Sequence, residues 1–179
     1  MKYKAQLLDE GAMRRALTRL SYEIVEKSTD MERILLVGIH RRGLPLANII
    51  AENIQKNSGF SVKTAALDIT LYRDDKTPLS DAPQVKSIHI PWDINGMEVV
   101  LVDDVLFTGR TIRAAIEALF SIGRPGKIRL AVLIDRGHRE LPFRADYVGK
   151  NIPTSLREEI RVNLAETDGK TNVEIYEND

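Results

Sequence analysis

The sequence contains no cysteine, and this absence excludes three kinds of chemistry at once. A chain without thiols cannot form disulfides, bind zinc through thiolates or use a cysteine nucleophile. It also lacks the G-x-S-x-G motif of serine hydrolases, so no side chain stands out for covalent catalysis.

Long hydrophobic runs are also missing. The longest is Ile34–Ile39, whereas a helix that spans a bilayer needs about 20 apolar residues. The first residues, MKYKAQLLDEG, lack the apolar stretch and small-residue cleavage site of a secretory signal. The sequence therefore predicts a soluble, cytoplasmic protein that does not contact a membrane.

The charges of the chain balance, with 26 lysines and arginines against 26 aspartates and glutamates. This balance excludes a protein that attracts polyanions through its overall field. The charges are nevertheless unevenly placed, with six basic and four acidic residues in 1–27 but three and seven in 157–179. Such a pattern allows a local cationic surface, although ordinary solvated faces would explain it as well.

The 179 residues fit a single domain, 1–179, and no internal repeat or heptad run divides them. Buried-strand patterns alternate with helical spacing, in the order 33–39, 43–55, 98–106, 110–122 and 127–135. Strands separated by helices predict an α/β fold with a central, mainly parallel sheet flanked by helices.

Weaker patterns surround this framework. Residues 62–71 and 84–90 are strand-like and suggest a hairpin, and two short strands are expected near 160–164 and 173–176. The stretch 136–156 shows no clear periodicity, and we expect it to be irregular.

The segment 10–27 predicts an amphipathic helix, because apolar residues recur at intervals of three and four. The apolar side consists of Met13, Leu17, Leu20 and Ile24. The opposite side is basic and polar, with Arg14, Arg15, Thr18, Arg19 and Tyr22.

The segment VVLVDDVLFTGRT, residues 99–111, is the most informative about chemistry. Its strand delivers Asp103 and Asp104 to the carboxyl edge of the sheet, where open α/β folds bind ligands. Thr108 and Gly109 then lead into a helix, whose free N–H groups suit a phosphate dianion. Carboxylates repel phosphate but accept hydrogen bonds from ribose hydroxyls, or bind a metal. One loop thus offers groups for a sugar and for its 5′-phosphate.

A purely structural role would also fit this segment. An acidic pair that only ends a strand, followed by a threonine that only caps a helix, would look similar. The chain has neither a Walker A loop nor a G-x-G-x-x-G motif, and a receiver domain normally carries its acidic pair on the first strand.

Residues 99–111 resemble the phosphoribosyl pyrophosphate signature of the type I phosphoribosyltransferases. Three further segments, DEGAMRRALTR, DITLYRDD and DRGHRELPFRADYVGKNIPTS, resemble one subfamily over nearly the whole chain. This subfamily comprises the bifunctional pyrimidine operon attenuation proteins and uracil phosphoribosyltransferases. The resemblance implies the type I phosphoribosyltransferase fold, with a small hood and a flexible loop over 72–84.

The resemblance implies conversion of uracil and phosphoribosyl pyrophosphate to UMP and pyrophosphate, with Mg²⁺ held mainly by substrate oxygens and water. The implied catalytic residues are Asp103, Asp104, Arg136 and, in the flexible loop, Arg73. Arg41 stands where close relatives usually have threonine. The implied substrate-binding residues are Arg41, Arg42, Gly43, Val99, Val100, Leu101, Val102, Asp103, Asp104, Val105, Leu106, Phe107, Thr108, Gly109, Arg110, Thr111 and Arg136, and the segment 149–155 is implied to read the pyrimidine.

A second activity is implied as well, in which UMP or UTP strengthens binding to the leader mRNA of a pyrimidine operon and favours a terminator. The implied RNA-binding residues are Arg14, Thr18, Arg19, Tyr22, Lys27, Arg139, Arg144 and Lys150. Tyr22 stands where relatives commonly have histidine, and tyrosine can stack on a base or donate a hydrogen bond. We expect Arg19 to contact RNA but not the core, and we expect a homodimer or higher homo-oligomer.

Two alternatives remain open from the sequence. One is an RNA-binding regulator with little catalytic activity, and the other is a phosphoribosyltransferase for a different nucleobase. The intact acidic pair and the T-G-R-T loop favour an active enzyme.

Overall fold

The structure is a computed structural model, and it describes residues 1–70 and 84–178 of the chain. The expected flexible loop falls almost entirely on the segment between these ranges. The loop and Arg73 therefore lie outside the described residues.

A main sheet and a smaller sheet are built from nine described strands. The strands of the main sheet are β2 (Ile34–Ile39), β3 (Lys63–Thr70), β4 (Gln84–His89), β5 (Glu98–Leu106), β6 (Lys127–Asp135) and β7 (Tyr147–Asn151). They lie in the order β4-β3-β2-β5-β6-β7. Among these described strands, only β4 runs antiparallel to its neighbour, as half of a hairpin with β3. The predicted α/β fold with a mainly parallel sheet is confirmed.

Helices cover both faces of this sheet. They are α1 (Glu10–Lys27), α2 (His40–Ser58) and α3 (Arg110–Ile122), and a single turn, α4 (Ala165–Asp168), lies near the C-terminus. The apolar sides of α1 and α2 pack on one face, whereas α3 packs on the other. In the described part of the chain, no helix is long and apolar enough to cross a membrane.

The smaller sheet contains β1 (Lys2–Leu8), β9 (Asn172–Glu177) and β8 (Glu158–Asn163), with β9 in the middle and all pairs antiparallel. Its inner side chains, among them Ile160 and Val162, join the same core as α1 and α2. We call this sheet the hood. Strand β1 was not predicted, because Leu8 is its only buried residue and it carries no buried-strand pattern.

Most predicted elements are confirmed, including the amphipathic helix over 10–27 with its apolar side buried. Two predictions were wrong. The stretch 136–156 contains β7, a strand of only five residues whose pattern is too short to read. Helix α2 begins at His40, three residues before the helical spacing predicted over 43–55, so residues 41–43 belong to its first turn. A first turn at the edge of the core needs no apolar periodicity, and its residues therefore carry no pattern that predicts it.

Two glycines let α2 lie unusually close to the sheet. A Cβ atom at Gly38 would stand 2.3 Å from the Leu44 Cα, and one at Gly43 would stand 2.4 Å from the Val102 carbonyl oxygen. Real Cβ atoms do not approach backbone so closely. The first turn of α2 is therefore pressed against β5 directly before Asp103.

We expect Gly43→Ala to destabilise the fold by about 1–3 kcal/mol, because the methyl group would push α2 away from β5. Gly11→Ala is the matched control in another helix, since its nearest neighbour would be the end of the Arg15 side chain at 3.3 Å. That variant should keep or slightly raise the stability, by less than about 1 kcal/mol. Urea unfolding followed by circular dichroism measures both, and equal stability of the two variants would contradict the close-approach argument.

Candidate functional site

A cavity of about 420 Å³ opens at the carboxyl edge of the main sheet. It lies where β2 and β5 end and where the chain leaves β6, and Ile160 of the hood closes one side. The lining residues are Ile39, Arg42, Asp103, Asp104, Val105, Leu106, Phe107, Thr108, Gly109, Thr111, Ile112, Arg136 and Ile160. The cavity thus occupies the edge at which the sequence placed the ligand.

The acidic pair lies on the cavity wall. Asp103 is buried, with 8% of its surface exposed, and its Oδ1 accepts a hydrogen bond of 2.9 Å from the backbone N–H of Asp104. The Oδ1 of Asp104 likewise accepts from the N–H of Val105 at 2.9 Å. Burial raises the pKa of Asp103 well above its usual range, and the neighbouring charge of Asp104 raises it further. The pair therefore places a buried carboxyl, whose charged form is disfavoured, beside the less buried side chain of Asp104.

The N-termini of two helices also meet at the cavity. Helix α2 starts after Ile39 and α3 starts after Gly109, and neither of these residues caps its helix with a side chain. Thr108 Oγ1 accepts a long hydrogen bond of 3.4 Å from the N–H of Arg110. N–H groups in the first turns of two helices therefore surround one cavity, and such groups favour anions.

Gly109 shapes the turn between the acidic pair and α3. Its φ of 94° lies in the left-handed region, and a Cβ there would come within 3.0 Å of the Phe143 ring. Only glycine fits this turn without strain. The loop is consequently tight, which holds the start of α3 next to the carboxylates.

The structure brings some predicted substrate-binding residues to the cavity and leaves others outside it. Arg42 lines it, but the exposed Arg41 lines a separate cavity beside Asp68. Arg110 is turned away and forms an ion pair of 2.6 Å with Glu140. The first part of the signature does not reach the cavity either, because its side chains are buried in the core on both faces of β5, namely Val99, Val100, Leu101 and Val102. Gly43 contributes no side chain to the cavity and instead allows α2 to approach β5 closely.

Arg136 lines the cavity and ties its floor to the hood. Its guanidinium donates to Thr154 Oγ1 at 3.0 Å and to the carbonyl oxygens of Ser155 at 3.2 Å and Glu158 at 2.6 Å. The same group lies 4.0 Å above the centre of the Phe107 ring. The segment 149–155 therefore reaches the cavity through Arg136 and does not line it directly.

Arg139 lies under the signature loop. It is partly buried, forms an ion pair with Asp135, and donates to the carbonyl oxygens of Phe107 at 2.7 Å and Phe143 at 3.0 Å. The guanidinium of Arg139 therefore braces the loop that carries Gly109, and the implied RNA contact of Arg139 stays a prediction.

The outer side of α1 forms a shallow groove, and four of the residues that line it, which we call the α1 face, are Arg14, Thr18, Arg19 and Tyr22. The other lining residues are Arg15, Glu23 and Glu26. Tyr22 is the most conspicuous of them, with 55% of its surface exposed. The structure thus brings half of the implied RNA-binding residues together on one surface.

Arg19 makes contacts within the protein that the sequence did not predict. Its guanidinium pairs with Glu23 at 2.6 Å and donates to the carbonyl oxygens of Val148 at 3.1 Å and Gly149 at 2.5 Å. Arg19 therefore fastens α1 to β7 across 130 residues of sequence, and its contact with RNA stays a prediction.

The remaining implied RNA-binding residues surround this junction. Lys27 donates to the Asp146 carbonyl oxygen at 3.3 Å and lies 5.0 Å from the centre of the Tyr147 ring. Lys150 is exposed on β7 directly after Gly149. Arg144 is exposed in the segment before β7. Basic side chains therefore continue from the α1 face across the edge strand.

Sequence reasoning missed two polar residues at or near the site. His138 is the only non-glycine residue with a positive φ in the described ranges, and its ring nitrogen contacts the Thr154 carbonyl oxygen at 2.5 Å. The neighbouring glycine, Gly137, is the signal in the sequence that could have predicted a turn at His138. Asp168 contacts Arg42 at 3.0 Å, and no sequence signal could have paired two residues 126 positions apart.

Comparison with known proteins identifies the family. The model of the phosphoribosyl transferase domain matches residues 4–166. The bifunctional protein PyrR of Clostridium perfringens strain 13 is 60% identical over 178 residues, which cover 99% of this chain and 100% of that protein. The chain belongs to the PyrR family. The PyrR protein of Thermus aquaticus agrees, with 55% identity over 99% of this chain and 98% of its own length.

Solved structures support the fold of this PyrR-family chain. The hypoxanthine phosphoribosyltransferase of Trypanosoma cruzi superposes with a TM-score of 0.77 at 19% identity, over 97% of this chain and 95% of that one. The corresponding protein of Staphylococcus aureus gives 0.75 at 19% identity, over 97% and 92%. The resemblance stated from the sequence is confirmed, with the PyrR family and the phosphoribosyltransferase fold.

The raised pKa of Asp103 gives a prediction for stability. The unfolded chain loses this proton near the ordinary aspartate pKa of about 3.9, whereas the folded chain loses it at higher pH. The carboxyl therefore lowers the stability increasingly as pH rises above about 4. Asp103→Asn removes this cost, so its melting temperature without substrate should exceed that of the wild type at pH 7.5.

The difference in melting temperature should shrink as pH falls toward about 4, where both forms of the chain carry a neutral side chain. Scanning calorimetry from pH 4 to pH 8 provides the comparison. A gap that is constant over this range would show that the burial of a charge at Asp103 is not its cause.

Proposed function

We propose that this chain transfers ribose 5-phosphate from phosphoribosyl pyrophosphate to N1 of uracil, yielding UMP and pyrophosphate. The observation that carries this proposal is the meeting of two helix N-termini and an acidic pair at one cavity. Phosphoribosyl pyrophosphate has the matching order of groups, with a phosphate at one end, ribose hydroxyls in the middle and pyrophosphate at the other end.

Each group of the substrate then has a partner in the site. The 5′-phosphate binds at the start of α3, where Thr108 and Thr111 add hydroxyls to the free N–H groups. The ribose hydroxyls donate to Asp103 and Asp104. Pyrophosphate lies at the start of α2, beside the guanidinium of Arg42.

Bond exchange at C1′ needs no protein nucleophile. The C1′–O bond to pyrophosphate breaks through an oxocarbenium-like state, the uracil N1–C1′ bond forms, and the N1 proton passes to water. Asp104 stabilises the positive charge that develops on the ribose, since its carboxylate lines the same wall. Catalysis then consists of positioning and charge stabilisation, as the lack of a nucleophile in the sequence implies.

Magnesium fits this arrangement as an ion bound together with the substrate. Within residues 1–70 and 84–178 there is no group of three or more histidine, cysteine or acidic side chains that could hold a metal. Asp103 and Asp104 provide carboxylate oxygens, which are ligands that Mg²⁺ prefers, and substrate oxygens and water would complete the set. When bound, Mg²⁺ neutralises charge on the departing pyrophosphate. A role of Arg73 in the same neutralisation stays a prediction.

The assay that tests the proposal supplies phosphoribosyl pyrophosphate and Mg²⁺ with uracil, hypoxanthine or orotate in turn. We expect rapid product formation with uracil only. Product from hypoxanthine or orotate would favour a transferase for another base, and binding of RNA without product would favour a regulator with little catalysis.

Asp104→Asn should lower the turnover of UMP synthesis at least about tenfold, which corresponds to about 1.4 kcal/mol of transition-state stabilisation. The change keeps the shape of the side chain but removes the charge that faces the ribose. Glu117→Gln is the matched control, since Glu117 is exposed on α3 and pairs with the exposed Arg113 on the same helix. Wild-type turnover of a folded Asp104→Asn variant would refute the role of this carboxylate.

We also propose that the α1 face, with Lys27, Arg144 and Lys150, binds a hairpin in the leader mRNA of a pyrimidine operon when UMP or UTP occupies the cavity. The groove that gathers the α1 face supports this proposal, because it presents guanidinium groups and an exposed tyrosine side by side. Guanidinium groups contact RNA phosphates, and the Tyr22 ring can stack on an unpaired base.

A homo-oligomeric state and a single domain over 1–179 stay predictions.

Arg14→Gln should weaken binding of the leader RNA and lower its salt dependence by about one phosphate contact. Arg14 is exposed, so the stability should change by no more than about 0.5 kcal/mol. Arg113→Gln on α3 removes an equal charge from a helix outside the proposed RNA surface and serves as control. Filter binding at several salt concentrations gives the slope of log affinity against log salt concentration for both variants. Equal slopes for the two variants would place the RNA site elsewhere.

A further inference from the structure

The cavity residue Arg42 is held by a side chain from a distant part of the chain. Its guanidinium forms an ion pair of 3.0 Å with Asp168 Oδ1, which belongs to the α4 turn between β8 and β9. The Arg42 side chain lies across the cavity wall, and its Nε is buried without a hydrogen-bond partner among the described residues. The hood therefore reaches the start of α2 through this contact.

Asp168 is itself fixed before it meets Arg42. Its Oδ2 accepts hydrogen bonds from the Leu164 N–H at 3.0 Å and from the Thr167 hydroxyl at 2.8 Å. The other oxygen, Oδ1, is thereby directed at the guanidinium. Partial burial alone would raise the pKa of Asp168, but these hydrogen bonds and the charge of Arg42 together hold the pKa below its usual value. The carboxylate is thus ionised throughout the neutral range.

The contact leaves most of the Arg42 guanidinium for a ligand. A guanidinium has five N–H donors, and the ion pair occupies the end of one nitrogen. A long arginine side chain has several rotamers, and fixing one of them before a ligand arrives reduces the entropy lost on binding. The buried Nε donor also lacks a partner in the described part of the chain.

We propose that Asp168 is a positioning residue for the proposed transferase reaction, which holds the Arg42 guanidinium at the cavity wall where pyrophosphate binds. This inference rests on the proposed function, since it takes Arg42 as a ligand of pyrophosphate. Asp168 acts through Arg42 and does not itself contact the substrate, because a carboxylate beside pyrophosphate would repel it.

The test combines Asp168→Asn with steady-state kinetics of UMP synthesis. We expect the KM for phosphoribosyl pyrophosphate to rise about three- to tenfold, while kcat and the KM for uracil stay within about twofold of the wild type. Glu166→Gln is the matched control, since Glu166 is exposed on the same turn and its loss should change none of these constants. A general disturbance of the fold would alter all three constants together, and that result would overturn the proposal.

A double variant separates positioning from other effects. Arg42→Gln alone should raise the same KM, and adding Asp168→Asn to it should raise the KM no further. Multiplying losses would overturn the proposal, because they would show that Asp168 acts independently of Arg42. A lower KM in Asp168→Asn would overturn it as well, since the ion pair would then compete with the substrate.

Isothermal titration calorimetry with magnesium pyrophosphate tests the same step without turnover. Asp168→Asn should weaken pyrophosphate binding about three- to tenfold. Unchanged affinity would overturn the proposal. Wild-type protein that binds pyrophosphate but makes no UMP would refute the proposed transferase activity, and the calorimetry would still decide on Asp168.

Discussion

The close approach of α2 to β5 is the constraint on which the site depends. Gly43 leaves no room for a Cβ atom against the Val102 carbonyl oxygen, and the next residue of β5 is Asp103. Because these backbones touch, the N–H groups at the start of α2 and the acidic pair open into the same cavity. A wider gap would separate the start of α2 from the acidic pair.

Several groups in the site lower the stability of the fold that surrounds them. Asp103 is buried at the end of a strand whose other residues are mostly apolar, and its burial disfavours the charged form. The free N–H groups at the start of α2 and the Nε of Arg42, which has no partner among the described residues, are costs of the same kind. Groups that lower the stability of the fold in this way are typical of sites that give up stability for function.

The parts of the site that are local in sequence were predictable, and the parts that arise from long-range packing were not. Residues 99–111 place a strand, an acidic pair and a helix start within one short segment, so their pattern and their chemistry can be read together. The orientation of the other side chains depends on tertiary contacts. Arg139 and Arg19 both read as exposed cations, but one is turned inward under the signature loop and the other binds carbonyl groups of β7.

The strands show the same division. Buried strands such as β5 and β6 carry continuous apolar runs, whereas β1 and β7 lie at sheet edges with few buried residues. An edge strand is defined by its pairing with a neighbour that lies far along the chain, and pairing leaves no periodic trace in so few residues. Asp168 was missed for the same reason, since its role depends on where the hood is placed.

The order of strands in the hood has a consequence for biosynthesis. Its central strand, β9, is the last described strand of the chain, and β1 and β8 pair with it but not with each other. During translation the main sheet and its helices can therefore assemble before the hood exists. Strand β1 has no strand to pair with until β9 has been synthesised. The turn that bears Asp168 becomes fixed only when β9 emerges from the ribosome. The cavity is thus completed only after the main sheet and its helices, and a nascent chain with a finished core is not yet able to hold Arg42 in place.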